Sequence, residues 1–336
     1  MEGRVSPAGA LSGPKSGPKV VVTGATGAVG RHVAHRLAAG GTPPTLLVRD
    51  PAKAAALGLP GAGPAVHGAA APATVVRGDY ADTDRLRAVL EGADALFVVT
   101  ANPLRPRDDE NLLAAARAAG VRHAVKLSWL GVADPGADDL VADWNRGAED
   151  RLRSSGLTWT VLRIRTPMSN ALAWAPSVRE RGVVRAFGGA ARTGCVDPRD
   201  VAEVAARALT DPAGHASATY ALTGPQLLSA REQTAVLSEV LGVRIGFEEL
   251  TAEEARAGWS ARYGARIADA LLAAARRRAD GAAGGDDGTL ERLLGRTPGT
   301  FAGWAADHAE PFRPACRRAP EDTPRVPSGA SGPDGP

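Results

Sequence analysis

The sequence predicts an α/β fold, a doubly wound parallel sheet with a smaller, mostly helical C-terminal part. Three observations carry that expectation. Short apolar strands alternate with helical patterns from Lys19 to about Arg165. Three glycines at three-residue spacing, Gly24, Gly27 and Gly30, follow the first strand. Beyond Arg165 the period changes, with less regular loops and the start signals of further helices. Parallel strands cannot be joined by tight hairpins, so helices between short apolar runs are the signature of crossovers.

The elements follow in order. Val20–Val22 is a β-branched strand, and residues 31–39 form a helix with Val33 and Leu37 on one face, stopped by Gly40 and Gly41. Thr45–Val48 is the second strand, followed by a second helix. Leu57 to Ala73 is rich in Gly, Ala and Pro and reads as a surface loop without chemistry. Further strands are expected at Thr74–Arg77, Ala95–Thr100, Ala124–Ser128 and Thr158–Arg163, separated by helices at about 82–91, 108–119 and 145–155. A helix at about 199–209 opens at Asp197-Pro198, and capping boxes stand at Ser229 to Glu232 and Thr251 to Glu254. Ala275 to Asp287 is Arg-rich and then Gly-rich, a helix end and loop whose charge is expected to be solvated.

The chain therefore divides into a tail at 1–18, a dinucleotide-binding domain at 19–165, a substrate-binding part interleaved with the sheet at 166–312, and a second tail at 313–336. Both tails are Gly/Pro-rich with too little apolar surface to repay the entropy of ordering. The two ends, counted through Lys19 and from Arg313, hold the whole net charge of +3: residues 1–19 carry three basic residues against one acidic, and residues 313–336 four against three. The neutral remainder, with six Trp, five Phe and three Tyr scattered along it, argues against nucleic-acid binding. Cys195 and Cys316 have no metal-ligand or redox spacing, so free thiols in a reducing, cytoplasmic compartment are expected. No run is apolar enough to span a membrane. The expected partner is a small molecule, and the expected assembly a monomer or homodimer.

The glycines suit a dinucleotide pyrophosphate. Gly24 serves the tight turn leaving the strand, Gly27 the approach of backbone N–H groups to phosphate, and Gly30 the close packing of helix on strand. The helix N-terminus then faces the anion, with Thr26 and Val29 in the same loop. Enzymes that take NAD(H) place a carboxylate at the end of the second strand, whereas a 2′-phosphate repels it and favours Arg. Here that position is Arg49; Asp50 comes one residue late, and Lys53 and Arg31 lie near, so NADP(H) is preferred over NAD(H). Asp79, with Tyr80 beside it, is placed to accept from the adenine amino group. Thr100, Ala101 and Asn102 end the fourth strand where the cofactor ribose passes.

Several motifs together narrow the reading: Thr-Gly-Ala-Thr-Gly-x-x-Gly from Thr23, Val48-Arg-Asp-Pro-x-Lys53, Gly78-Asp79, His123-Ala-Val-Lys-Leu-Ser128, Ser155-Gly-Leu-Thr-Trp-Thr-Val-Leu-Arg163, Met168-Ser-Asn170, Val196-Asp197 with Asp200-Val-Ala202, and Gly295-Arg-Thr-Pro-x-Thr-Phe-Ala302. Over about residues 19–312 the chain resembles the NmrA-like, NAD(P)H-binding atypical short-chain dehydrogenase/reductases. That family includes quinone reductases, isoflavone-type reductases, azoreductase-annotated proteins and non-catalytic redox sensors.

The resemblance also locates a departure. The wider superfamily uses Tyr-x-x-x-Lys to protonate a carbonyl as hydride arrives. Counting back from Glu149, the tyrosine position falls on Val141 and the lysine position on Asn145, where NmrA-like relatives often carry His. Asn145 can orient a carbonyl but does not titrate. Ser128 matches the superfamily serine that polarises a substrate carbonyl, and Lys126 is either a cofactor or substrate contact or a solvated strand residue. Ser128, Asn145 and Lys126 are thus the candidate catalytic residues, and Asp143 is a surface residue or a proton relay. Trp129, Trp144, Thr166, Met168, Asn170, Trp174 and Phe187 are the candidate substrate contacts, the aromatic ones serving either a flat apolar pocket or the core.

A conjugated acceptor such as a quinone, enone or aromatic carbonyl relaxes the need for a strong acid, because its hydride adduct is a weaker base than an alkoxide. An NADPH-dependent reductase of such an acceptor is the leading expectation. A sensor without turnover, or a redox-neutral cyclase or isomerase, stays open beside it.

Overall fold

The computed structural model describes residues 17–62, 73–134, 136–279 and 287–313. Most of both expected tails, the middle of the 57–73 segment, the loop after the Arg-rich stretch and Cys316 lie outside the described residues.

The elements run β1 (Val20–Thr23), α1 (Gly30–Ala39), β2 (Thr45–Val48), α2 (Pro51–Ala56), β3 (Thr74–Arg77), α3 (Thr83–Leu90), β4 (Ala95–Val98), α4 (Arg107–Ala118), β5 (His123–Trp129), a 3₁₀ turn (Leu130–Ala133), α5 (Leu140–Arg153) and β6 (Thr158–Ile164). There follow β7 (Thr166–Pro167), a 3₁₀ stretch (Met168–Trp174), α6 (Ala175–Arg181), β8 (Val183–Ala186), β9 (Thr193–Val196), α7 (Pro198–Thr210), α8 (Pro212–His215), β10 (Ala218–Leu222) and β11 (Leu227–Leu228). The chain continues with α9 (Ala230–Leu241), β12 (Gly246–Glu249), α10 (Ala252–Tyr263), α11 (Ala265–Ala279), α12 (Thr289–Leu294) and α13 (Phe301–Asp307).

The main sheet has seven strands in the order β10-β6-β5-β4-β1-β2-β3, all paired in parallel. The strand order reverses between β1 and β4, and ligands of such sheets lie in the crevice at the carboxyl ends there. Strand periodicity assigns the two faces. Val20 and Val22 point to α1, α7 and α12, packing with Val33, Leu37, Val201, Leu209 and Leu290. Val21 points the other way, to a core with Leu86, Leu112 and Leu152 of α3, α4 and α5. Residues 166–312 contribute β10 and α7 to this sheet and build a third core from Met168, Val178, Cys195, Leu237, Phe301, Trp304 and Phe312.

Three expectations need correction. Helix α5 begins at Leu140 rather than near 145, because the Asp139 side chain accepts from the N–H groups of Val141 and Ala142 and nucleates the turn earlier. The 57–73 segment is not all surface: Leu59 is buried in the first core, with Ala62 packed beside it. A seventh strand, β10, joins the sheet edge from the C-terminal part; its Ala-Thr-Tyr-Ala-Leu sequence is half-exposed and lacks the apolar run of a central strand.

Candidate functional site

The turn between β1 and α1 is shaped by its glycines. Gly24 has φ +62, and a Cβ there would stand 2.7 Å from the Val99 Cβ. A Cβ on Gly30 would stand 2.3 Å from the Gly24 carbonyl oxygen, so α1 approaches β1 more closely than any side chain permits. The Gly27 N–H donates to that same oxygen at 2.9 Å, which closes the turn and leaves Gly27 itself exposed. Helix α1 has no side-chain N-cap and no acidic residue in its first turn. By contrast α2, α3, α5, α7, α9 and α10 are capped by Asp, Ser or Thr. Its N–H groups and dipole are thus left for an anion, and the cradle fits a dinucleotide pyrophosphate.

The cations expected at a 2′-phosphate are uncommitted. Arg49 is exposed immediately after β2 and, like Arg31, has no ion pair among the described residues; the Arg31 Nε is buried without a hydrogen-bond partner. Asp50 is occupied in capping α2, its Oδ1 accepting from Ala52 and Lys53 N–H at 2.9 and 3.2 Å. Asp79 accepts from the Ala81 N–H at 2.9 Å and from Arg105 at 2.9 Å, and these two contacts hold its carboxyl below the usual carboxylate range. Arg105 was not foreseen at the adenine end of the crevice. Tyr80 donates its hydroxyl to the Val99 carbonyl at 3.0 Å, and Asn102 accepts from Leu104 N–H in an Asx turn beside the exposed Ala101.

At the carboxyl end of β5, Lys126 and Ser128 lie two residues apart and therefore on one face, toward α4 and α5. Each meets a carboxylate there. Lys126 is fully buried, donating to Asp109 Oδ1 at 2.8 Å and to the Thr100 hydroxyl at 3.3 Å, while Thr100 donates to Asp109. The Trp144 ring covers the Lys126 ammonium, 5.8 Å from the ring centroid. Ser128 donates to Glu149 Oε1 at 2.6 Å, and Arg163 and Arg153 hold the same carboxylate. Burial alone would raise the Glu149 carboxyl, but the hydrogen bonds from Arg163, Ser128 and Arg153 outweigh it and hold it below its ordinary value.

Two assignments change as a result. Lys126 is neither a solvated strand residue nor a free contact for cofactor or substrate, and the Thr100 hydroxyl belongs to its ion pair. Ser128 has one hydroxyl proton, and it goes to Glu149, so Ser128 does not polarise a substrate carbonyl in this arrangement. Ser128→Ala is accordingly expected to lower stability by about 1.5–3 kcal/mol in urea unfolding, the range for a hydrogen bond to a charged group, and to change kcat by no more than about threefold. A loss of kcat beyond about a hundredfold with normal stability would return Ser128 to catalysis.

The remaining expected residues are dispersed. Asn145 is buried on α5 and donates to the Val141 carbonyl at 2.9 Å, and Asp143 is an exposed partner of Arg146. Trp129 folds back onto Gly131, where a Cβ would come within 2.2 Å of its ring. Met168 belongs to the third core and Trp174 packs on it, so both serve packing. Thr166 pairs with Cys195 across β7 and β9; Asn170 is exposed and Phe187 half-buried.

A cluster that sequence reasoning missed lies just beyond. Arg165, directly after β6, binds Asp134 with both terminal nitrogens at 2.7 and 2.8 Å, both side chains being buried. Arg277 pairs with Asp139, the cap of α5, so the Arg-rich end of α11 is not uniformly solvated as expected: Arg276 is exposed, but Arg277 and Arg278 are half-buried. The described residues contain no metal-binding cluster of His, Cys, Asp or Glu, and no helix among them is long and apolar enough to cross a membrane.

The fold and the cradle define a dinucleotide-binding protein of the Rossmann class. The profile of the NAD(P)H-binding family matches residues 24–212, and the chain belongs to that family. It is 48% identical over 295 residues to the (4-alkanoyl-5-oxo-2,5-dihydrofuran-3-yl)methyl phosphate reductase of Streptomyces griseus, covering 88% of this chain and 99% of that protein. It is 35% identical over 301 residues to the NAD(P)H azoreductase of Xenophilus azovorans, covering 87% and 99%. Among solved structures, the NADPH-dependent quinone oxidoreductase QOR2 of Escherichia coli in complex with NADPH superposes with a TM-score of 0.71 at 28% identity, covering 87% of this chain and 99% of that one. The chain is an NAD(P)H-dependent oxidoreductase related to these reductases.

Proposed function

We propose that the protein is an NADPH-dependent reductase of a conjugated acceptor, of the enone or quinone type. The observation that carries this reading is the lack of a titratable donor where the superfamily places one: Val141 and Asn145 occupy those positions, and Ser128 gives its proton to Glu149. A simple ketone would leave an alkoxide that none of these three residues can protonate. Bound NADPH supplies a hydride, and a conjugated acceptor delocalises the resulting charge over a carbonyl, so that solvent water suffices to protonate it. The protein's part is to hold the two reactants in register.

The 48% identical reductase supports one acceptor in particular. Its named substrate has a ring C=C conjugated with both a lactone and an acyl carbonyl. Hydride addition to such a ring gives the enolate of a 1,3-dicarbonyl, among the weakest bases a carbon acceptor offers. We take an acyl-substituted unsaturated lactone of this kind, as its phosphate ester, as the preferred substrate class here. The test follows NADPH absorbance with naphthoquinone, the acyl lactone phosphate and cyclohexanone. Oxidation with the conjugated acceptors and none with cyclohexanone is expected, and comparable rates with cyclohexanone would overturn the reading.

The preference for NADPH rests on Arg49 and Arg31, which lack ion pairs among the described residues, and on Asp50, whose carboxylate caps α2. Arg49→Gln is expected to weaken NADPH binding about tenfold, the worth of one exposed charge-assisted contact, with NADH binding little changed. Fluorescence titration of the two cofactors measures this, and equal weakening of both would remove Arg49 from the 2′-phosphate.

A further inference from the structure

We propose that Arg278, together with Arg165 and Arg277, anchors a phosphomonoester group on the acceptor, a binding site at the carboxyl ends of β5 and β6. The proposal rests on the reductase reading above and adds the group that orients the substrate.

Arg165 follows the last residue of β6, Asp134 follows the turn after β5, and Asp139 opens α5, so all three stand on the rim of the crevice where ligands of a parallel sheet lie. Helix α11 packs against α5 and delivers Arg277 and Arg278 to the same rim.

Arg165 and Asp134 neutralise each other, their side chains only 3% and 6% exposed, and Arg277 and Asp139 do the same at 16% and 5%. Asp138, 94% exposed, reaches only to 4.0 Å from Arg277 and is left to solvent. Arg278 then stands as a third guanidinium against two carboxylates, with no hydrogen bond or ion pair of its own among the described residues. Burial first, and then the cations Arg165 and Arg277, hold Arg278 below the ordinary arginine range, which Asp134 and Asp139 only partly offset.

The surroundings are thus arranged at a cost that a bound anion recovers. Arg165 and Arg277 are already held by their carboxylates and lose little freedom when a ligand arrives, and the Nε atom of each is buried without a partner. A carboxylic acid of the chain would have been the simplest partner for Arg278, and none of the described residues supplies it. A phosphate dianion matches the requirement in sign and in geometry, since its oxygens accept the parallel N–H pair of a guanidinium fork.

The test compares the acyl lactone alcohol with its phosphate ester as acceptors, in the wild type, Arg278→Met, Arg278→Lys and the surface control Arg276→Met. Calorimetry with phenyl phosphate on the NADP⁺-loaded protein gives a readout independent of turnover. Wild type is expected to favour the ester, and Arg278→Met to raise the ratio of ester KM to alcohol KM about tenfold or more, the worth of a charge-assisted contact. Arg278→Lys, which keeps the charge but loses the fork, is expected to fall between, with Arg276→Met like wild type and phenyl phosphate binding weakened in parallel. An unchanged KM ratio, or phenyl phosphate binding equal in wild type and Arg278→Met, would overturn the anchor. If Arg278→Met does not fold, Arg278→Lys decides by the same ratio. If neither acceptor is reduced, the reductase reading fails while phenyl phosphate still tests the anchor: Arg278-dependent binding upholds it and Arg278-independent binding ends it.

Discussion

Asp109→Leu is expected to destabilise the protein by about 3–5 kcal/mol, because it leaves the Lys126 ammonium buried without its partner. Both side chains of the pair are 0% exposed; Lys126 stands on β5, flanked by β4 and β6, and its ammonium is enclosed between the sheet and α4. Lys126→Met is expected to cost less than Asp109→Leu, since Thr100 continues to donate to Asp109 at 3.0 and 3.1 Å. The double variant Lys126→Met/Asp109→Leu removes both charges and replaces them with apolar groups of similar length; it is expected to recover most of the loss, since buried ion pairs are often matched by well-packed hydrophobic substitutes. Urea unfolding of the three variants gives the coupling directly. NADPH titration of the double variant then separates structure from function. Unchanged affinity assigns the pair to the scaffold beneath the cofactor ribose, whereas a loss of tenfold or more with restored stability would restore Lys126 to the cofactor site.

The pair also shows where the sequence is legible and where it is not. The β1 to α1 turn was readable because its chemistry is local: three glycines, a β-branched strand before them and an amphipathic helix after them specify each other within a dozen positions. The same holds for β2, β3 and α1, whose observed bounds fall within a residue of those the periodicity gives. Lys126 and Ser128 stand two residues apart on one strand and so share a face, but what that face meets is not written in their neighbourhood. Asp109 lies 17 residues from Lys126 and Glu149 lies 21 from Ser128, both on helices whose rotation is set by tertiary packing. Polar residues at a strand end look identical in sequence whether they face a crevice or a helix. Arg278 is harder still, since three arginines in a row read as solvated charge until α11 is docked on α5.

Gly30→Ala is expected to abolish measurable NADPH binding and to lower stability by at least about 1–3 kcal/mol, the range for overpacking a site that cannot adjust by rotamer. The added carbon would stand 2.3 Å from the Gly24 oxygen, 2.8 Å from its carbonyl carbon and 3.1 Å from the Ala25 Cα, all backbone atoms. A Cβ has no torsion by which to escape, so α1 must lift from β1 and carry its N–H groups away from the pyrophosphate position. Gly27→Ala makes the contrast. Its Cβ would meet only the Gly24 oxygen, at 3.1 Å, and the residue is exposed on the open side of the turn. That variant is expected to keep wild-type stability within about 1 kcal/mol, the usual limit for a surface change with slight crowding, while its methyl group stands where phosphate must approach the backbone. The two glycines therefore separate by measurement: thermal melting distinguishes the packing role from the approach role, and cofactor titration should show both variants impaired. Retention of NADPH affinity by Gly27→Ala would place the pyrophosphate elsewhere along α1, and a stability loss equal to that of Gly30→Ala would give both glycines the same packing task.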